Sequence, residues 1–411
     1  MRSGEIKALT GLRIVAAVWV VLFHFRPLLS DAVPGFLDAL TPVLNCGAQG
    51  VDLFFILSGF VLTWNYLDRM GRSWSTRATL HFLWLRLARV WPVYLVTLHL
   101  AALWVIFTLH VGHVPSQEIH RFTAISYVRQ VLLAQLWFQP FFDNSSWDGP
   151  AWSISAEWLA YLLFGSLVLV IFRMARATRA RTLVWLAVAA SLSPVMSLLV
   201  TGQFYTPWSW LPRIVMQFTA GALVAAAASR LQITDRGRRA AGYVSALLIG
   251  GVAGFLYWSD AHPLHGVSDT GGLVDILFVP LVLTLAIGTG SLPALLATRP
   301  LVYGGQISFC LYMVHELVHT SWIWTAQQFE LTMFANDGKL LLAAVIAVTF
   351  VSAAALYHVV EEPARLWMRR MVGDGRPVVD ADTAGQVAGT TLQSIDGAHE
   401  RRPKSVSARA G

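Results

Sequence analysis

The sequence predicts an all-α polytopic membrane protein with about ten transmembrane helices and both termini in the cytoplasm. Three observations predict it. Hydrophobic residues make up 56% of the 411-residue chain against 13% charged, where soluble domains carry about a quarter charged. Mean hydropathy is +0.58, and the apolar residues fall in runs of about 20, the length that crosses a bilayer. The arginines recur in alternate loops. Short basic loops face the cytoplasm, which orients every span. No soluble domain of useful size is left over.

The elements follow in chain order, with spans expected near residues 9–29, 50–67, 91–110, 152–172, 182–200, 211–228, 242–258, 273–290, 301–324 and 340–360. The first, LTGLRIVAAVWVVLFHF, is too long for a signal-peptide core and lacks a small-residue cleavage site, so it reads as a retained anchor. Arg69, Arg72, Arg77, Arg86 and Arg89 precede the third span, and Arg173, Arg176, Arg179 and Arg181 follow the fourth. Arg230, Arg236, Arg238 and Arg239 follow the sixth, Arg299 precedes the ninth, and Arg365, Arg369 and Arg370 follow the tenth. The intervening loops carry acids such as Asp31, Asp38, Asp260 and Asp269. The tenth span ends in EEP, where proline pushes its predecessor out of helical geometry.

Residues 111–150 form a long outer loop rich in aromatics and turn formers, read either as an interfacial lid or acceptor surface, or as an aromatic belt. A shorter outer loop, 259–272, holds His262 and His265. Residues 372–411 are rich in Gly, Asp, Ser and Arg without periodicity and are expected to be a disordered cytoplasmic tail after a 1–371 membrane domain. The net charge of +7 is topological and does not indicate nucleic-acid binding, since nearly all the basic residues sit in short loops and the tail. Cys46 and Cys310 form neither a disulfide framework nor a metal site. Lysine is scarce beside arginine, which suggests a GC-rich bacterial genome.

Ionisable groups inside the membrane are functional candidates by default. Arg13 and His24 lie eleven positions apart on the first span, about three turns and roughly 16 Å on one face. The orientation puts Arg13 near the cytoplasmic face and His24 deeper, toward the outer side. Asp52 opens the inward-running second span and Trp152, Ser153, Ser155 and Glu157 open the fourth, at a depth comparable to His24. Imidazole exchanges a proton near neutral pH, and a carboxylate such as Asp52 or Glu157 would orient it. At the inner face Arg13, Arg86 and Arg89 form either an anion site with forked donors or an ordinary topology signal, and Glu361 is a possible ion-pair partner. His315 in ISFCLYMVHEL is open between structure and substrate contact. Ser153 and Ser155 also have a reading as partners for backbone groups. The chain has no G-x-S-x-G, HExxH, P-loop or GxGxxG setting.

Together these residues resemble the acyltransferase-3 family of integral membrane O-acyltransferases. Arg13 and His24 match its Arg/Lys–x10–His motif, and GVDLFFILSGF resembles its second helix. Arg86, Arg89 and Pro92 match R-x-x-R-x-x-P; Trp152, Ser153, Ser155 and Glu157 match W-S-x-S-x-E. Ser308, Leu311, Tyr312 and His315 match S-x-x-L-Y-x-x-H, and Glu361 with Pro363 matches E-x-P. The matches keep the family order across residues 9 to about 371. Two departures stand out: no extracytoplasmic SGNH hydrolase-like domain is present, and Ala156-Glu157-Trp158 stands where many relatives carry two consecutive acids.

The resemblance implies a multi-pass enzyme of the bacterial inner (plasma) membrane that uses acyl-CoA, most commonly acetyl-CoA, and no metal. Its acceptor would be a sugar hydroxyl of an envelope glycolipid or glycan; an actinobacterial trehalose mycolate fits the composition, but no motif selects it. On this reading CoA phosphates meet Arg13, Arg86 and Arg89, Glu361 belongs to the same cofactor site as partner of those arginines, the thioester reaches His24, and Asp52 or Glu157 orients the ring. Trp152, Ser153, Ser155, Tyr312 and His315 would hold the acceptor. The rival is a transporter of a lipid or polar solute, which usually shows paired repeats and broken helices absent from this sequence. A non-catalytic envelope-assembly scaffold is the third reading.

Overall fold

The computed structural model describes residues 4–111, 122–141, 147–263, 270–331 and 336–373. The expected tail lies outside these residues from 374 onward, as does His265. The described residues up to Arg365 form one compact unit, and those from Leu366 belong to a second. Among the described residues all regular structure is helical. Among the same described residues nine segments are long and apolar enough to cross a membrane, in line with the all-α polytopic class.

The first span ends earlier than its composition suggests. Helix α1 covers Lys7–His24, and Phe25 leaves helical geometry. Two short helices follow, α2 (Arg26–Ala32) and α3 (Pro34–Asn45), each with proline in its first turn. Proline has no N–H to donate and a preset φ, so it restarts a helix where the chain turns. His24 thus sits at the last residue of α1, where a basic side chain complements the helix dipole.

Helix α4 spans Gly50–Met70. Helix α5 runs Thr76–His110, 35 residues, so Arg77, Arg86 and Arg89 are helical and not in a preceding loop. The arginine run reads as loop by charge, but Phe82, Ala88 and Tyr94 between and beyond those arginines are fully buried. Packing of that stripe extends the helix well short of Pro92. Helix α6 (Ala124–Val131) lies within the long outer loop, and α7 spans Trp152–Ala177. The fifth span is two helices, α8 (Ala180–Ser191) and α9 (Ser193–Thr201), divided just before Pro194. Helices α10 (Trp210–Arg230) and α11 (Asp235–Ala261) follow.

The eighth span opens as a 3-10 helix over Thr270–Leu277 and continues as α12 (Phe278–Ile287). Helix α13 is Ser291–Leu296 and α14 is Arg299–Gln328. Although 30 residues long, α14 is absent from the nine apolar segments, because Gln306, His315 and Glu316 depress its hydropathy. Helix α15 spans Asn336–Leu356. The expected stop at EEP does not occur: a π-helical turn, Tyr357–Glu361, leads into α16, Glu362–Met371. The wider turn absorbs the missing proline N–H, and Pro363 falls in the first turn of the new segment.

Helix pairs approach closely at small residues, as membrane bundles require. A Cβ on Gly59 would run into the Phe218 carbonyl, and one on Gly221 into the Ile56 carbonyl, so α4 and α10 meet backbone to backbone. Gly305 of α14 lies equally tight on Thr10 of α1. These contacts bring together α1, α4, α10 and α14, which carry Arg13, His24, Asp52, Arg213, His315 and Glu316, while α5, α7 and the π turn supply the other polar residues of the site.

Candidate active site

The inner polar residues form one cluster. Arg13 donates through Nε to Ser308 at 3.4 Å, and its guanidinium lies 5.6 Å from the Phe54 ring. Arg89 forms an ion pair with Glu361, whose carboxylate is fully buried and also accepts from Cys310 Sγ at 3.2 Å. Arg13, Arg86, Arg89 and Arg365 interact electrostatically. Four guanidiniums against few acids make an anion-attracting field. Arg365, seen in the sequence only as a loop charge, joins them because the chain stays helical past Glu361.

Glu157 interacts with Arg13 and lines a narrow cavity of about 50 Å³ with it, together with Ser153, Ser308 and Tyr312. Its place is therefore beside Arg13. Among the described residues no hydrogen bond or ion pair joins it to His24.

A second, larger cavity of about 310 Å³ is lined by His24, Trp152, Tyr205, Arg213, Tyr312 and Glu316, among others. Tyr312 and Val51 line both cavities and so form the partition between them. Tyr312 donates to the Pro150 carbonyl at 2.8 Å and accepts from Ser153 Oγ at 2.8 Å.

His24 is held by α14. Its Nδ1 lies 2.9 Å from the Val20 carbonyl and 3.3 Å from His315 Nε2. His315 Nδ1 lies 2.6 Å from the Tyr312 carbonyl. A carbonyl oxygen only accepts, so each Nδ1 carries the proton. His315 Nε2 then accepts from His24 Nδ1, and His24 Nε2 keeps the free lone pair. Glu316, one residue on, faces the same cavity and lies 3.5 Å from His319 Nδ1. Donor atoms of His24, His315 and Glu316 all fall within 4.8 Å of one another. That spacing is also open to a divalent ion, although with His315 Nε2 accepting from His24 only the His24 Nε2 lone pair and the Glu316 carboxylate are left for one.

The expectation that Asp52 orients His24 needs correction. Asp52 is fully buried and binds Arg213 with both oxygens: Arg213 Nε donates to Oδ1 at 3.1 Å and Nη2 pairs with Oδ2. A carboxylate facing a buried cation at comparable depth is drawn to it, since an unpaired buried guanidinium is far costlier than an unpaired neutral imidazole. The group that orients His24 is His315, expected among acceptor contacts. Ser155 is likewise internal: fully buried, it donates to the Leu133 carbonyl at 2.8 Å and accepts from Leu136 N at 3.3 Å. It pins the outer loop onto the start of α7. Trp137 N–H to the Ser155 carbonyl and Trp210 N–H to the Gln139 carbonyl complete that clamp. His262 is exposed, stacks on Trp258 and takes no part.

Arg213 and Glu316 escaped the sequence reading. The available signal for Arg213 was its position in the first turn of an inward-running span, where positive charge is unexpected. For Glu316 it was adjacency to His315.

An acyltransferase domain model matches residues 6–358. One similar relative is "Acyltransferase MdmB" of Streptomyces mycarofaciens, 28% identical over 92% of this chain and 96% of the relative. Another is "Protein 2 in picA locus" of Rhizobium radiobacter, 32% identical over 44% of this chain and 89% of the relative. No solved structure matches.

Proposed function

The chain belongs to the acyltransferase-3 family, and from that membership we propose that this acyltransferase moves a short acyl group, such as acetyl, from acyl-CoA to a sugar hydroxyl of an envelope glycolipid or glycan at the bacterial plasma membrane. The observation that carries the reading is His24, paired with His315 behind it, at the wall of a cavity sized for a small molecule, which typically ranges over roughly 300–1,000 Å³. With Nδ1 engaged, His24 offers Nε2 as general base to the acceptor hydroxyl. Glu316 stabilises the imidazolium that results.

The donor enters from the opposite end. CoA phosphates meet Arg13, Arg86, Arg89 and Arg365, and Glu361 holds Arg89 in place. The narrow cavity suits a thread-like pantetheine arm, which runs past Tyr312 and Val51 to bring the thioester to His24. Trp152 and Tyr205 give the acceptor apolar faces to rest on. Ser153 contributes by fixing the Tyr312 hydroxyl at the partition.

The test is transfer from labelled acetyl-CoA to a bacterial lipid extract by the purified protein in detergent. Transfer by wild type and its loss in a folded His24→Ala variant support the reading. No CoA consumption with any extract, or full activity in His24→Ala, overturns it.

A further inference from the structure

Arg213 stands in the acceptor cavity with one arm of its guanidinium unused. The side chain is 2% exposed, and Asp52 takes Nε and Nη2. Nη1 is buried without a hydrogen-bond partner. Leaving a donor of a buried cation unpaired costs at least as much as an ordinary unsatisfied group, and a donor of this kind on a cavity wall is placed to meet a polar ligand or a water there. The guanidinium is also fixed laterally: its carbon lies 4.9, 5.3 and 5.7 Å from the ring centroids of Tyr205, Phe204 and Trp152. Asp52 and three rings therefore hold a planar donor rigid at the wall that His24 shares. A lysine, with a single ammonium, could not bind Asp52 through two nitrogens and present a third.

Resting on the acyl-transfer reading above, we propose that Arg213 is a catalytic residue whose Nη1 donates to the thioester carbonyl and holds the oxyanion of the tetrahedral intermediate. His24 Nε2 takes the proton from the acceptor hydroxyl as its oxygen bonds to the acyl carbon. The carbonyl π pair moves onto oxygen, where Nη1 meets it. Collapse restores the C=O bond and breaks the C–S bond. The CoA thiolate leaves and takes the proton back from His24, so ester and free thiol are the products. Preorganised donors at a developing oxyanion stabilise the transition state more than the ground state, and removing one typically costs 100- to 1,000-fold in kcat.

The experiment compares wild type, Arg213→Lys, and the charge-neutral double variant Asp52→Asn/Arg213→Met, with labelled acetyl-CoA as donor and dodecyl maltoside as the sugar acceptor. The double variant removes both buried charges at once and so avoids stranding Asp52. Folding is checked by detergent gel filtration. The expected result is a kcat lower by 100- to 1,000-fold in both variants, with KM for both substrates within about threefold of wild type. Activity within threefold of wild type, or a loss confined to KM, overturns the assignment while leaving acyl transfer intact. Absence of transfer by wild type to this acceptor and to lipid extract alike overturns acyl transfer itself, and the role of Arg213 with it.

Discussion

Glu361 offers a quantitative test because its carboxylate is fully buried and has two partners, the Arg89 guanidinium and the Cys310 thiol. Glu361→Ala leaves Arg89 among Arg13, Arg86 and Arg365 with its counter-charge gone. Breaking a buried pair by removing one member costs about 3–5 kcal/mol. That is a factor of roughly 150 to 4,500 in the folded-to-unfolded ratio. Replacing both members by uncharged side chains should return most of it, because a hydrophobic pair of similar volume is often neutral or stabilising. Reversible unfolding in mixed micelles, followed by tryptophan fluorescence, gives stabilities for wild type, Glu361→Ala, Arg89→Met and the double variant. The expected interaction energy in this cycle is at least about 2 kcal/mol, with the double variant more stable than Glu361→Ala. An interaction energy below about 0.5 kcal/mol would refute the reasoning and return Glu361 to a direct role in binding the donor.

Three further outcomes follow from the same geometry. His315→Phe keeps the volume and removes the side-chain acceptor for His24 Nδ1, leaving it the Val20 carbonyl alone, so kcat should fall about 10- to 100-fold with donor KM unchanged; an unchanged pH–rate profile and rate would exclude the orienting role. Asp148, buried just before α7, has its carboxyl pushed up to about 7 chiefly by desolvation, with the Thr97 hydroxyl opposing and Glu316 adding repulsion. The folded protein therefore binds a proton there that the unfolded chain releases near 3.8, so the contribution of Asp148 to stability is full below about 4 and is lost as pH rises to about 7. The full displacement corresponds to about 4 kcal/mol as an upper bound, and Asp148→Asn should flatten the profile of unfolding midpoint against pH. Gly59→Leu should separate α4 from α10 and lower the yield of folded protein on detergent gel filtration, since the obstruction is the Phe218 backbone and cannot rotate away. Normal yield with that variant would contradict the close approach.

The sequence by itself determined the class, the order of the spans and the Arg13–His24 pair. Composition and hydropathy are properties of residues taken singly, and eleven positions on one helix fix a common face without any partner. It also marked the arginines of α5 and Glu361 as one inner group, because loop charge assigns sides. Tertiary structure alone decided who pairs with whom. Asp52 and Glu157 were both candidates to orient His24 on grounds of depth, but lateral position around the bundle sends Asp52 to Arg213 and Glu157 to Arg13. Sequence spacing reports position along a helix and says little about which neighbour lies across from it. The partners of His24 come from α14, some 290 residues away, brought in by the backbone contact at Gly305 and Thr10. The helical extension of α5 was likewise decided by packing, which overrides the local charge signal where a buried stripe continues through it, and the π turn carries the chain past Pro363.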